Sequence, residues 1–160
     1  MATTSVLSAA TLVTATTGIV ECLLLPLQGR QLLVPATTIA ASLRDVTLQR
    51  PEHAAPWYMG EMLWQEQTLP VLAYEALNEG SAPRDRHHVA IVQTLSAEAQ
   101  GYYGLILQDE ARPAKVKLNE LEDLFEVQSE LGPMDAMAVR WQGELAWIPD
   151  FDAIERRLLA

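Results

Sequence analysis

The chain has one cysteine, Cys22, so no internal disulfide can staple it. Cys22 sits in the apolar stretch IVECLLL and reads as a small buried hydrophobe rather than a nucleophile. Positive charge is scarce as well. Eleven Lys and Arg stand against twenty-one Asp and Glu, a formal net charge of −10, and the basic residues are dispersed. A phosphate backbone repels such a chain, which excludes a nucleic-acid role. The same scarcity excludes docking on an anionic membrane through a basic patch. No uncharged, strongly apolar run reaches membrane-spanning length, so no direct membrane insertion is expected. The first eighteen residues lack charge but are loaded with Thr, Ser and Ala, and no Lys or Arg opens a secretory signal. Met1–Gly18 therefore reads as a flexible tail, and a cytoplasmic protein is expected.

Catalytic signatures are missing too. There is no Gly-rich phosphate loop, no CxxC and no HExxH. Of three histidines, His87 and His88 are adjacent, and neighbours on a strand point to opposite faces, so they chelate poorly. The acidic runs ELED and DEA read as solvated faces. No enzyme activity, metal or cofactor is expected.

What remains is an ordinary globular balance, 49% hydrophobic and 20% charged, over 160 residues. That length suits one compact domain or two fused small subdomains. IVECLLLPLQGRQLLVP reads as a hairpin turning at Gly29. ATTIAASLRD reads as a helical turn or an irregular strand. WYMGEMLWQEQTLPVL is a second hairpin turning at QEQ, and YEALNEG is a helical turn ending at Gly80. The polar stretch near residues 80–88 is the expected connector. VAIVQTL and YYGLILQD form a third hairpin, and MAVRWQGELAWIPDF forms a fourth. Leu118, Leu121, Leu124, Phe125 and Leu131 are close to helical spacing. Asp152 and Glu155 have capping-box spacing ahead of a short C-terminal helix.

The halves run alike: hairpin, connection, hairpin, short helix. Trp64–Gln65 and Trp141–Gln142 lie 77 residues apart, and Leu69–Pro70 resembles Ile148–Pro149. Two small β-barrels in tandem would produce such a repeat. Trp57, Trp64, Trp141 and Trp147 could line a ligand box, but such aromatics more often fill a β core or cover a sheet face.

The stretches CLLLPLQGRQLLVPATTIAASL and LQRPEHAAPWYMGEMLWQEQTLPVLAYEAL resemble the first half of a CheW-like domain. HHVAIVQ, YYGLILQDEARPAKV and MAVRWQGELAWIPDFDAI resemble its second half. The resemblance spans Ile19 to Leu159, and the domain is expected over residues 19–160. It implies a mainly β fold of two intertwined, SH3-like five-stranded barrels sharing a core, with short helices. It implies a non-enzymatic adaptor coupling chemoreceptor tips to the regulatory domain of a CheA-type histidine kinase, beside membrane-bound receptor arrays. It also implies extended chain at Lys115–Lys117, where periodicity continues into a helix after Asn119.

The sequence departs from the family in three places. Gln65–Glu66 stands where many members have Arg–Gly, Ala41 where they have an acidic residue, and Ala73 where they have Asp. The Arg and the acidic residue commonly pair across the first barrel, so both partners are absent together and no orphan charge remains. This points to an accessory adaptor, of the kind found in type IV pilus (twitching) systems. The expected partner-binding residues are Ile39, Ala41, Gly60, Met62 and Gln65, with Gly60 admitting a partner backbone. The competing reading is a β-barrel that binds a small ligand, or catalyses a reaction, in an aromatic pocket.

Overall fold

The computed structural model describes residues 18–84, 88–95, 101–124 and 130–159. The rest of the expected tail, part of the connector, the turn after Leu95 and residues 125–129 lie outside the described residues. Eleven strands are described: β1 (Ile19–Pro26), β2 (Gln31–Pro35), β3 (Ile39–Leu43), β4 (Tyr58–Trp64), β5 (Gln67–Leu72), β6 (His88–Gln93), β7 (Tyr102–Leu107), β8 (Arg112–Lys117), β9 (Leu121–Asp123), β10 (Asp135–Trp141) and β11 (Glu144–Pro149). Helix α1 is Tyr74–Leu77 and α2 is Phe151–Leu159.

The strands form two sheets, ordered β8-β1-β2-β11-β10-β9 and β3-β6-β7-β5-β4. The halves of the chain are interleaved. The first half supplies β1 and β2 to one sheet, and β3 then crosses to pair with β6 of the second half. The second half supplies β6 and β7, and β8 crosses back to pair with β1. Parallel pairs β2–β11 and β5–β7 complete the exchange.

Both sheets close on themselves. β9 continues β8 after one 3-10 turn and pairs with β10 at the far edge of its sheet. In the other sheet, chain leaving β3 returns to β4, where the Gln49 and Glu61 backbones exchange two hydrogen bonds of 3.0 and 2.8 Å. Each barrel therefore has five strands if β8 and β9 count as one bent strand.

Alternation along the central strands decides where the core sits. On β6, Val89 and Ile91 fill the interior of the second barrel, with Met59, Met62, Leu69, Val71 and Ile106. Ala90 and Val92 point the other way, joining Tyr103, Leu105 and Leu107 in a larger cluster. That cluster also contains Leu24, Leu32, Val139 and Ile148 of the first sheet. A strand buried on both faces needs no polar row, which is why VAIV lacks one.

The repeat extends to the turns. Gln65 and Glu66 have φ of 48° and 65°, and Gln142 and Gly143 have 49° and 79°. Positive φ at both central residues makes each a type I′ turn, whose twist matches that of the flanking strands. Only the second copy has glycine, the residue this geometry favours.

Two expectations need correction, and a third resolves into both of its alternatives. The leucine spacing after Lys117 forms one 3-10 turn, Leu118–Glu120, and then strand β9. Ring closure requires extended chain there, so tertiary pairing overrides the periodicity. ATTIAASL is both things expected of it, a 3-10 turn at Ala36–Thr38 followed by β3. Helix α2 is capped by Asp150, whose Oδ1 accepts the Ala153 N–H at 3.0 Å, rather than by Asp152. Glu155 is buried and instead accepts the Leu95 N–H at 3.0 and 3.2 Å, tying α2 to the end of β6.

Candidate functional site

The five expected contact residues do not form one face. Met62 is 5% exposed and packs inside the second barrel. Leu63, its neighbour on the opposite face of β4, is 73% exposed, the most exposed large apolar side chain described. Gln65 is exposed at the hairpin tip. The expected set thus mixed inward and outward positions. Strand alternation itself carried the signal, because Met62 and Leu63, adjacent on one strand, must face opposite ways. Around Leu63 lies a depression of about 280 Å3 lined by Thr47, Gln49, Glu61, Met62, Leu63 and Thr68. An apolar centre with a polar rim has the anatomy of a protein-contact hot spot.

Gly60 has a different role from the expected one. Its φ is 135°, and a Cβ there would meet the Gln49 carbonyl oxygen at 2.8 Å and Leu48 Cβ at 3.2 Å. The close approach is made by the chain's own barrel-closing segment, not by a partner. Ile39 and Ala41 are half-buried on β3 and flank a bulge against β6; Ala41 pairs with Ile91. Ile39 packs on the shared core and Ala41 on the core of the second barrel.

The tryptophans are dispersed. Trp64 meets Tyr102 edge to face at 4.9 Å, and Trp57 meets Tyr58 at 6.1 Å. Trp141 is buried in the larger core, and Trp147 lies under the Arg30 guanidinium at 4.1 Å. They serve packing at four places rather than one ligand box.

A polar cluster joins distant parts of the sequence. The buried carboxylate of Asp135 accepts Arg30 Nη1 at 3.0 Å on both oxygens, Tyr74 Oη at 2.7 Å, Asn78 Nδ2 at 3.0 Å and the Gly132 N–H at 2.9 Å. Asn78 Oδ1 in turn accepts the Met134 N–H at 2.8 Å. Burial pushes the Tyr74 hydroxyl well above its ordinary pKa, and the neighbouring carboxylate adds to this. Tyr74 and Asn78 follow the second barrel, whereas Arg30 and Asp135 belong to the first, so the cluster ties the two together. No local motif could reveal it, since Arg30, Tyr74 and Asn78 lie 105, 61 and 57 residues from Asp135.

Helix α1 ends in a Schellman motif. The Gly80 N–H reaches the Glu75 carbonyl at 2.7 Å, and the Glu79 N–H reaches that of Ala76 at 3.1 Å. The left-handed residue is Glu79, with φ 70°, not Gly80. Gly80 is needed for closeness instead, because a Cβ there would stand 2.8 Å from the Glu75 oxygen.

Among the described residues no three His, Cys, Asp or Glu side chains gather in a way that could hold a metal ion. No described helix is long and apolar enough to cross a membrane. The family model for the CheW-like domain matches residues 21–158. The chain belongs to the CheW-like family. Among solved structures, the fold is similar to the scaffolding protein TtCheW from Thermoanaerobacter tengcongensis, with a TM-score of 0.66 and 13% identity over 81% of this chain and 88% of that one. At that identity the likeness concerns the fold alone. No curated protein matches the chain.

Proposed function

We propose that this CheW-like chain is a non-enzymatic cytoplasmic adaptor. It couples the cytoplasmic tips of chemoreceptors to the regulatory domain of a CheA-type histidine kinase, at membrane-bound receptor arrays. The family match over residues 21–158 carries the reading. The interleaved barrels support it, since they expose hairpin surfaces for partners. The contact wall is the outer face of β4, centred on Leu63 and extended by Gln65 at the tip, with Ile39 and Ala41 on β3 as a second contact strand. With Ala41 and Gln65 both uncharged, this adaptor binds through a less polar surface than relatives that carry the Arg–acid pair. That difference favours an accessory role in a chemotaxis or twitching-motility system. Co-elution on size exclusion of the chain with a kinase regulatory domain and a receptor-tip fragment tests the reading. A ternary peak is expected. Separate elution from both partners would refute it.

A further inference from the structure

The two barrels close differently at their hairpin tips. In the first barrel β9 pairs with β10 up to the tip: Val139 with Asp123, Arg140 with Glu122 and Trp141 with Leu121. The Leu124 N–H also donates to the Ala138 carbonyl at 3.1 Å. The offset of 77 puts Glu61 in the place of Ala138 and Leu63 in that of Arg140. Glu61 has its neighbour, since it exchanges two backbone hydrogen bonds with Gln49. Leu63 does not. The same register would set Thr47 opposite Leu63, yet no backbone bond joins them, and both line the depression of about 280 Å3. Residues of an antiparallel ladder alternate between bonding one neighbour and facing away from it. Glu61 turns its N–H and C=O toward Gln49 rather than toward Pro70 on β5. Leu63, two residues on, turns its own to the same edge. Neither group has a partner among the described residues. Glu61 is the one charged residue lining the depression, and neither it nor Glu66, exposed at the tip, has an ion pair among the described residues.

We propose that this open edge takes a short extended segment of a partner protein, antiparallel to β4, whose backbone pairs with Leu63. The segment carries an apolar residue opposite Leu63 and Lys or Arg two positions to either side, beside Glu61 and Glu66. A strand edge with a free donor and acceptor is a template for such pairing. The segment does for Leu63 what β9 does for Arg140. There the facing residue is Glu122, whose carboxylate accepts from Arg140 at 3.3 Å. Leu63, 73% exposed, calls for an apolar residue instead. Long side chains reach the diagonal neighbours two residues along. Gln49 already holds the place beside Glu61, so the segment enters from the hairpin tip and turns outward after Leu63. A second copy of this acidic chain is the poorer occupant, because it brings no cation from the same face to Glu61 and Glu66. The inference deepens the adaptor reading, on which it rests for a partner at the β4 wall, by naming the kind of segment the wall takes.

The test needs neither kinase nor receptor. The full chain is titrated with the end-blocked peptide Lys-Thr-Val-Thr-Lys, following backbone amide resonances and hydrogen exchange. Saturable shifts of the Thr47, Glu61 and Leu63 amides are expected, with exchange of the Leu63 amide slowed at least fivefold at saturation. Glu-Thr-Val-Thr-Glu should bind at least tenfold more weakly, because it meets Glu61 and Glu66 with like charge. The lysine peptide N-methylated at valine keeps both charges but cannot donate to the Leu63 carbonyl, and should also bind at least tenfold more weakly. Glu61→Gln should weaken binding of the lysine peptide at least threefold. The proposal is overturned if the lysine peptide produces no saturable shifts by about 10 mM, an affinity too weak to be specific. It is equally overturned if the glutamate or N-methylated peptide binds as well. Shifts of the same amides that follow the concentration of the chain alone would put a second copy on the edge, and overturn it too. Each of these results would leave co-elution with the kinase and receptor fragments to judge the adaptor reading by itself.

Discussion

Arg30 Nη1 lies 3.0 Å from both carboxylate oxygens of Asp135, whose side chain is fully buried while that of Arg30 is 25% exposed. The pair fastens the β1–β2 turn to the start of β10, and Tyr74 and Asn78 extend it to α1. A buried charge with five donor contacts is tolerated because every contact is charge-assisted. Removing the carboxylate would strand Arg30 Nη1 and Asn78 Nδ2, while Tyr74 Oη would keep the Met134 carbonyl at 2.8 Å. Asp135→Ala should therefore cost about 3–5 kcal/mol in urea unfolding, the range for breaking a buried pair. Arg30→Met should cost less, because Tyr74, Asn78 and the Gly132 N–H would still hold the carboxylate. The reverse order would show that Arg30 is the more important partner.

Glu66 occupies a left-handed turn position, φ 65°, that the equivalent turn gives to Gly143. A left-handed non-glycine residue costs roughly 1–2 kcal/mol. The flexibility glycine adds to the unfolded chain takes back about 0.4–1 kcal/mol. The difference favours glycine, so Glu66→Gly should raise stability by about 0.5–1 kcal/mol and Gly143→Glu should lower it comparably. Thermal unfolding of both variants checks the pair of signs.

Gly60→Ala should destabilise the chain by at least about 1–3 kcal/mol, because φ 135° lies in a region essentially reserved for glycine. The added Cβ would also push on the Gln49 carbonyl and loosen the closure of the second barrel. An unchanged melting temperature would contradict this role.

Much of the fold was legible because hairpins are local. Turn residues and alternating patterns marked all four hairpins, and the repeat of Trp–Gln marked the doubled plan. Strand exchange was not legible from pattern alone: β3 and β8 both alternate, but alternation shows which face a residue takes and not which distant strand it pairs with. The leucines after Lys117 misled because one turn of helical spacing fits a bent strand equally well. At the candidate site, alternation separates Met62 from Leu63 but does not say which of the two faces is the inner one; only the closed barrel shows that Met62 lies inside and Leu63 outside. The role of Gly60 depends on Gln49, eleven residues earlier, which no sequence pattern connects to it.

Burial raises the Glu75 carboxyl above its ordinary value of 4.5. The folded state then holds this proton more tightly than the unfolded state does. The associated stability is fully present below that ordinary value and is lost as pH rises through the folded one. Glu75→Gln does not titrate, so its stability relative to the native chain should improve between about pH 4 and pH 7. Urea unfolding at both pH values measures this, and a constant difference would contradict it.

Burial pushes the Cys22 thiol up to about 11, with Glu21 adding to the shift. Native Cys22 should resist thiol reagents near neutral pH and react only at the rate of global unfolding. Rapid labelling of the folded chain would contradict its buried position on β1, between β2 and β8.

The most direct test of the adaptor reading is calorimetric titration of the chain with a CheA-type regulatory domain, comparing the native protein with Leu63→Asp. Leu63 is 73% exposed, so the substitution should change stability by no more than about 1 kcal/mol, the span of strand propensities. Saturable binding by the native chain is expected, weakened by roughly 1–3 kcal/mol in the variant. Equal binding by both folded proteins would place the contact elsewhere, and no binding by the native chain, with a receptor-tip fragment failing as well, would contradict the adaptor function.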